Sequence, residues 1–136
     1  MTAGYSGTPL AEKIGLRRGM RCWFHNMPEG VRRAIDPERL GLEEQQAATE
    51  GLQCAWLFVT ERGKLERELG ALRQLIAPNG FIWVSWPKAA KHPTEIAEDR
   101  VRDVALPLGL VDTKSCAIDE IWSGLRLGIR REHRSD

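Results

Sequence analysis

The chain has 136 residues, the length of one domain, and 42% of them are hydrophobic, which is enough for a folded core. Its 20 Lys and Arg residues are balanced by 19 Asp and Glu residues, so the net charge of +1 gives no global field for a nucleic acid or an anionic membrane. Three cysteines argue against a disulfide framework, and neither a membrane-spanning apolar run nor a signal peptide is visible. We therefore expect a single cytoplasmic domain, residues 1–136, with no nucleic-acid or membrane partner.

The first half of the chain predicts one short helix, one buried strand and a poorly patterned segment. Pro9 suits the first position of a helix, and Gly15 suits the left-handed residue that ends it. The compact apolar run 20–25 predicts the first strand, and apolar spacing over 31–35 predicts one or two helical turns. Residues 36–51 show no clear period, so we expect a loop there, with room for a helical turn over 43–49.

The second half alternates buried strands with amphipathic helices. Residues 52–59 and 81–86 are nearly continuous apolar runs, which are typical of strands covered on both faces. The segment between them has leucines at helical spacing, and a further helix is expected to start at Pro93-Thr94. Residues 110–118 and 125–130 predict the last two strands.

The order of these elements predicts the fold class. Strand–helix–strand–helix–strand implies two crossovers and a parallel sheet, whereas the six residues 119–124 allow only a hairpin, so the last strand should be antiparallel. We expect a three-layer α/β domain, Rossmann-like in architecture, with a mostly parallel sheet. The strand over 125–130, partly protected by Arg126 and Arg130, is expected at a sheet edge.

Ligands of open α/β sheets bind where the parallel strands end, here called the carboxyl edge. Lys88 directly follows a buried strand, and a helix starting at Thr94 would attract a phosphate or carboxylate to its N-terminus. We therefore predict a small anionic ligand there, with Trp86 and Trp122 as walls, although solvated loop lysines would explain the same pattern. The predicted ligand-binding residues are Tyr5, Ser6, Gly7, Trp86, Lys88, Thr94, Trp122 and Ser123.

Two adjacent acids in the last hairpin, Asp119 and Glu120, are the candidate catalytic residues. One of them could act as a general base. A tight turn is the favoured explanation of the same residues: the Asp side chain would accept backbone N–H groups, and Gly124 would take a positive φ.

Several common chemical motifs are missing from the sequence. There is no nucleophile elbow, Walker loop or HExxH pattern, and the scattered His and Cys residues predict no metal site. The first strand is followed by 25–30, His-Asn-Met-Pro-Glu-Gly, which is not the glycine-rich turn of a dinucleotide site. The acidic strand end that would bind a ribose falls within 36–51.

Three motifs carry a family resemblance over nearly the whole chain. GYSGTPL at 4–10, WVSWPK at 83–88 and DEIWSGL at 119–125 resemble a small bacterial family catalogued only as a domain of unknown function. The resemblance implies a cytoplasmic bacterial protein of about this length and brings no established activity.

A second and more distant resemblance concerns the fold. LIAPNG at 75–80 with the strand after it, and the terminal hairpin, are similar to the carboxyl half of class I S-adenosylmethionine (SAM) methyltransferases. This implies a truncated form of that fold, since 36–51 is too short for two further strands and helices. SAM is the cofactor implied, but the glycine fingerprint for it is absent.

Three functions therefore stay open. The leading hypothesis is a domain that binds a small anionic ligand or a protein partner at the carboxyl edge. The first alternative is an atypical methyltransferase-like or nucleotide-using enzyme with Asp119 or Glu120 as its base. The second is a structural or regulatory module that forms a homodimer.

Overall fold

The computed structural model describes residues 9–89 and 92–133. Within that part of the chain the helices are α1 (Leu10–Ile14), α2 (Glu29–Ile35), α3 (Arg62–Leu75) and α4 (Glu98–Ala105). The strands are β1 (Arg21–His25), β2 (Glu43–Glu44), β3 (Leu52–Phe58), β4 (Ile76–Pro87), β5 (Leu110–Ala117) and β6 (Trp122–Ile129). Short 3₁₀ turns occupy Leu106–Leu108 and Arg131–His133.

The strands form one mixed sheet in the order β2-β1-β3-β4-β6-β5. Strands β1 to β4 pair in parallel, and β6 runs antiparallel to both β4 and β5. The prediction of a mostly parallel α/β sheet with an antiparallel last strand is therefore confirmed.

The predicted position of the last strand is wrong, because β6 lies inside the sheet and β5 forms its edge. Leu125, Leu127 and Ile129 pack into the core on the α3 and α4 face. On the other face Gly124 is buried and Arg126 is half-buried, so the alternating pattern of β6 does not mark a solvated face.

Helices cover both faces of the sheet and create two cores. The core under α3 and α4 includes Leu57 and Leu69, and the core under α1 and α2 includes Ile14 and Trp56. Pairs of helices on each face, with the sheet between them, make the three layers that the sequence predicts.

Two buried tryptophans form hydrogen bonds that join β3 to β4 and β4 to α1. The indole N–H of Trp56 donates to the Ser85 hydroxyl at 2.9 Å, and that of Trp83 donates to the carbonyl of Ile14 at 2.8 Å. Both side chains are fully buried. The second bond satisfies a carbonyl at the end of α1 and holds that helix against the sheet.

The segment 36–51 forms a two-residue strand, β2, at the point where a helical turn over 43–49 is expected. The N–H groups of Glu43 and Gln45 donate to the carbonyls of Met20 and Cys22, at 2.9 and 2.8 Å. The strand exists because β1 offers it backbone partners, which no local pattern of 36–51 reveals.

Strand β4 begins at Ile76, five residues before the predicted start. Its first part contains an irregularity, where the register with β3 shifts between Leu52 and Cys54. A Cβ at Gly80 would lie 2.9 Å from the Leu52 carbonyl oxygen, so this close approach requires glycine. The Pro-Asn-Gly sequence at 78–80 is therefore part of the strand.

Across the described ranges 9–89 and 92–133, no helix combines the length and the apolar character of a membrane span.

Candidate ligand site at the carboxyl edge

The sheet brings several of the predicted site residues together at the carboxyl edge. The register of β4 with β6 pairs Trp86 with Ser123 and Pro87 with Trp122. Lys88 follows directly, so the end of β4 lies beside the β5–β6 hairpin. The three amino-terminal candidates, Tyr5, Ser6 and Gly7, lie outside the described residues.

Lys88 connects the end of β4 to that hairpin through two hydrogen bonds. Its backbone N–H donates to the carbonyl of Ile121 at 2.8 Å, and its Nζ donates to the carbonyl of Asp119 at 2.9 Å. The side chain is half-buried. No ion pair involves Lys88 within the described part of the chain, so its charge faces a neutral carbonyl.

The carboxylate of Asp119 organises the turn between β5 and β6. Its Oδ1 accepts the backbone N–H groups of Ile121 and Trp122, both at 2.8 Å. This is the structural role that the sequence offers as an alternative to catalysis. The neighbouring Glu120 is exposed, and a catalytic role for either acid stays a prediction.

Gly124 serves the hairpin in a different way from the one predicted. It lies within β6 and is not among the glycines with positive φ. A Cβ there would lie 2.8 Å from a side-chain carbon of Ile118 and 3.1 Å from the ring of Trp83. Close packing, rather than a special backbone conformation, requires this glycine.

The predicted helix start at Thr94 is wrong, because α4 begins four residues later, at Glu98, and Thr94 therefore offers no helix N-terminus to an anion. The Thr94 hydroxyl accepts the backbone N–H of Ile96 at 2.9 Å, so it closes a local turn. The first turn of α4 carries Glu98 and Asp99, whose charges repel an anion from that helix end. Of the predicted anion-binding groups, Lys88 therefore keeps its structural support, and the backbone of residues 4–8 lies outside the described residues.

The two edge tryptophans are largely engaged in packing. Trp86 is only 7% exposed and belongs to the core under α3 and α4. Trp122 is half-buried and meets the ring of Phe58 edge to face, with the ring centroids 5.1 Å apart. The two tryptophans pack against different cores, Trp86 on the α3 and α4 face and Trp122 on the α1 and α2 face, so they do not form facing walls of one space. Ser123 is half-buried and pairs with Trp86 across β4 and β6.

The end of β1, where this fold class holds a cofactor, is built differently from a nucleotide cradle. Asn26 takes a positive φ of 56°, a conformation that asparagine tolerates better than most residues. Pro28 is the N-cap of α2 and has no N–H to offer, and Glu29 puts a negative charge in the first turn. This helix end therefore does not present the donors that a phosphate requires.

The end of β2 carries an acid at the position of a ribose-binding residue, but that acid is already paired. Arg32 donates to both carboxylate oxygens of Glu44, at 2.9 and 2.5 Å, and its guanidinium lies 5.8 Å from the ring centroid of Phe24. The hydrogen bonds that Arg32 donates to Glu44 raise the pKa of Arg32 above its ordinary value. Sequence reasoning missed this pair because the two residues are twelve positions apart and meet only through β2.

Solved structures similar to this chain define its fold class. The ribosomal protein L11 methylase of Lactobacillus delbrueckii subsp. bulgaricus matches with a TM-score of 0.56 and 7% identity, over 90% of this chain and 76% of that one. A SAM-dependent methyltransferase from Aquifex aeolicus matches with a TM-score of 0.55 and 10% identity, over 87% and 86% of the two chains. LepI, solved in complex with SAM, matches with a TM-score of 0.58 and 9% identity; the match covers 90% of this chain and 47% of LepI. At these identities the similarity shows the fold alone, which is the Rossmann-like fold of class I methyltransferases.

Within that fold class, the chain belongs to the family described as "Protein of unknown function (DUF3052)", whose model matches residues 23–131. Both resemblances stated from the sequence are thereby confirmed. Among curated proteins, none matches this sequence.

The residues described do not fit SAM in the manner of this fold class. The glycine turn after β1 is replaced by Asn26 and Pro28, and the acid after β2, Glu44, is held by Arg32. A ribose hydroxyl would have to displace a bidentate guanidinium, a strong type of hydrogen-bonded pair. No methyl-transfer step is therefore derived for this chain.

Proposed function

We propose that this chain is a ligand-binding domain built on a methyltransferase-like fold, and that it takes a small anionic ligand at the carboxyl edge beside Lys88. The observation that carries the proposal is the half-buried ammonium of Lys88, which is held at the end of β4 by a neutral carbonyl and has no carboxylate partner in the described residues.

The position of this charge supports an anion more strongly than an exposed loop lysine would. An ammonium has three donors, and the Asp119 carbonyl occupies one of them. The bond also holds Lys88 in one orientation, which reduces the side-chain entropy lost on binding. Partial burial lowers the local dielectric constant, so a carboxylate or phosphate gains more here than at the open surface.

The hairpin beside Lys88 suggests what else the ligand carries. Oδ1 of Asp119 is used by the turn, which leaves Oδ2 as an acceptor. Glu120 is exposed next to it. A small anion that also bears a hydroxyl or amine group would therefore match both the cation and the acids of this edge.

Methyl transfer is the second candidate, and the fold similarity is the observation that favours it. The paired state of Glu44 and the absence of a glycine turn speak against it. A protein partner and a homodimer also stay predictions. The edge strands of the sheet are β2 and β5, so β6 is not available for pairing.

The test is residue-resolved NMR of the full chain titrated with inorganic phosphate, AMP, SAM and S-adenosylhomocysteine. We expect a phosphate-bearing probe to shift the amides of Lys88 and residues 119–123, and Lys88→Met to weaken that binding by about tenfold. Lys64→Met is the matched control, since Lys64 is exposed on α3 and belongs to no ion pair in the described residues.

Two outcomes would contradict the proposal. If Lys88→Met and Lys64→Met bind equally well, Lys88 does not hold the ligand. If SAM shifts the amides around Asn26 and Glu44 at micromolar concentration, the methyltransferase candidate replaces the leading one. Unfolding midpoints of both variants, measured in urea, show whether any loss of binding reflects a loss of fold.

A further inference from the structure

A charged cavity lies at the edge of the sheet opposite Lys88, where β1, β3 and β4 begin. It has a volume of about 70 Å³, and its lining includes Arg17, Gln53, Asn79, Phe81 and Arg126. An open groove of about 330 Å³ shares three of these residues and adds Lys114. No carboxylate is among the described residues that line either space.

Arg126 projects from β6 into this cavity. Its guanidinium carbon lies 4.2 Å from the ring centroid of Phe81. Within the described part of the chain its guanidinium takes part in no ion pair and no hydrogen bond. Burial and the nearby positive charge of Arg17 lower the pKa of Arg126, but an arginine stays charged at neutral pH.

Arg17 reaches the same cavity from the end of α1. Gly15 ends that helix with a φ of 95°, and a Cβ there would lie 3.4 Å from Nη1 of Arg126. The chain therefore turns sharply beside Arg126 and places Arg17 two residues later. Stacking on Phe81 accounts for Arg126. Arg17 is exposed, and its guanidinium has no ion-pair or hydrogen-bond partner among the described residues.

Gln53 adds an uncharged donor to the same wall. Its Oε1 accepts the backbone N–H of Arg21 at 2.9 Å, which identifies the other end of the amide as the NH₂ group. That group is left to donate, so the cavity offers guanidinium and amide donors together.

From this arrangement we propose that the cavity between Arg17 and Arg126 binds an oxyanion, namely the phosphate group of a small molecule. Two like charges that share a cavity without a counter-charge repel each other, and a bound phosphate turns this repulsion into two attractive contacts. The cavity has about the volume of two waters, at ~30 Å³ each, which is of the order of one tetrahedral oxyanion. The adjoining groove, with Lys114 beside it, gives room for the rest of the molecule.

This site is independent of the one beside Lys88, because the two lie at opposite edges of the sheet. The experiment titrates the full chain with inorganic phosphate at constant ionic strength, set with chloride, and follows backbone amides and arginine Nε–H signals by NMR. We expect phosphate to shift the Nε–H signal of Arg126 and the amides of Gly15 and Phe81.

Arg17→Gln is the decisive variant, and Arg18→Gln is its matched control. Both remove one positive charge from neighbouring exposed positions, but Arg18 donates to the carbonyl of Arg39 and does not line the cavity. We expect Arg17→Gln to weaken phosphate binding at this site by about tenfold and Arg18→Gln to leave it unchanged.

Equal loss in the two variants would overturn the proposal, since it would mean a diffuse charge effect. Phosphate shifts confined to residues around Lys88 would also overturn it, while supporting the proposed function. Shifts at the Arg17 cavity that survive Lys88→Met would support this second site by itself.

Discussion

Gly80 and Gly124 lie so close to neighbouring atoms that a Cβ at either position would clash. A Cβ at Gly80 would meet the carbonyl oxygen of Leu52, and one at Gly124 would meet the side chain of Ile118 at 2.8 Å. Gly70 is different: it lies inside α3, and a Cβ there would have no neighbouring atom within 4 Å beyond its own helix backbone. Glycine is therefore required by close packing at positions 80 and 124, whereas at position 70 no close contact requires it.

The first prediction compares two glycine substitutions. Gly124→Ala should lower the free energy of unfolding by about 1–3 kcal/mol, because the added methyl group overpacks a fully buried site. Gly70→Ala should raise it by about 0.5–1 kcal/mol, because alanine loses less backbone entropy than glycine in a helix. Urea unfolding followed by tryptophan fluorescence measures both, and a neutral Gly124→Ala would show that the hairpin can shift to admit the methyl group.

The residue scale also shows which site residues the sequence could reveal. Lys88 is recognisable because a cation directly follows a buried strand. The pairing of Arg32 with Glu44 is not recognisable, because neither residue stands in a pattern that indicates the other. Arg17 and Arg126 are likewise 109 positions apart in the chain, and only the fold gives them a common cavity.

At the scale of elements, the β5–β6 hairpin depends on one side chain for its turn. Asp119 satisfies two backbone N–H groups, and its own carbonyl accepts the bond from Lys88. The hairpin is thus joined to β4 both by the strand ladder and by this lysine.

The second prediction separates the structural role of Asp119 from a catalytic one. Asp119→Ala should lower the free energy of unfolding by about 1–2 kcal/mol, because two N–H groups lose their acceptor. Asp119→Asn keeps an acceptor oxygen and should retain most of that stability, while Glu120→Ala, at an exposed position, should stay within about 0.5 kcal/mol. Urea unfolding measures the stability of all three variants. If Asp119→Ala and Glu120→Ala are equally stable, the Asp119 side chain does not stabilise the turn.

Elements were predictable where the pattern was local. The apolar runs of β1, β3 and the central part of β4 are visible in the sequence, and so is the stripe of α3. Strand β2 and the late start of α4 were not, because the first depends on the backbone of β1 and the second on hydrogen bonds between Glu95 and the distant segment 60–62.

At the scale of the whole molecule, the reactivity of the three cysteine thiols measures how readily the sheet unfolds. Cys22 and Cys54 face each other across β1 and β3 in the core under α1 and α2, and both are fully buried. Burial raises the pKa of Cys54 well above its ordinary value, with a further contribution from its contact with Cys22. Burial also raises the pKa of the half-buried Cys116, on the edge strand.

The third prediction concerns thiol labelling of the native chain. A raised pKa means that less of the reactive thiolate is present at pH 8, so Cys116 should react more slowly than a peptide cysteine and faster as the pH rises. Cys22 and Cys54 should stay unlabelled until the sheet opens, at a rate governed by the free energy of unfolding. Mass spectrometry after iodoacetamide treatment checks this. The control is the urea-unfolded chain, in which all three cysteines should be labelled. Rapid labelling of Cys22 or Cys54 in the native chain would contradict the burial of the β1–β3 pair.

The sequence by itself determined the α/β class, the crossovers and the place of Lys88, because hydrophobic period and connection length are local properties of the chain. Only the tertiary structure decided that β6 is an inner strand, that Glu44 is neutralised by Arg32, and that Arg17 and Arg126 meet. These features depend on contacts between residues far apart in the chain, which form when backbone hydrogen bonds and buried apolar surface bring whole elements together.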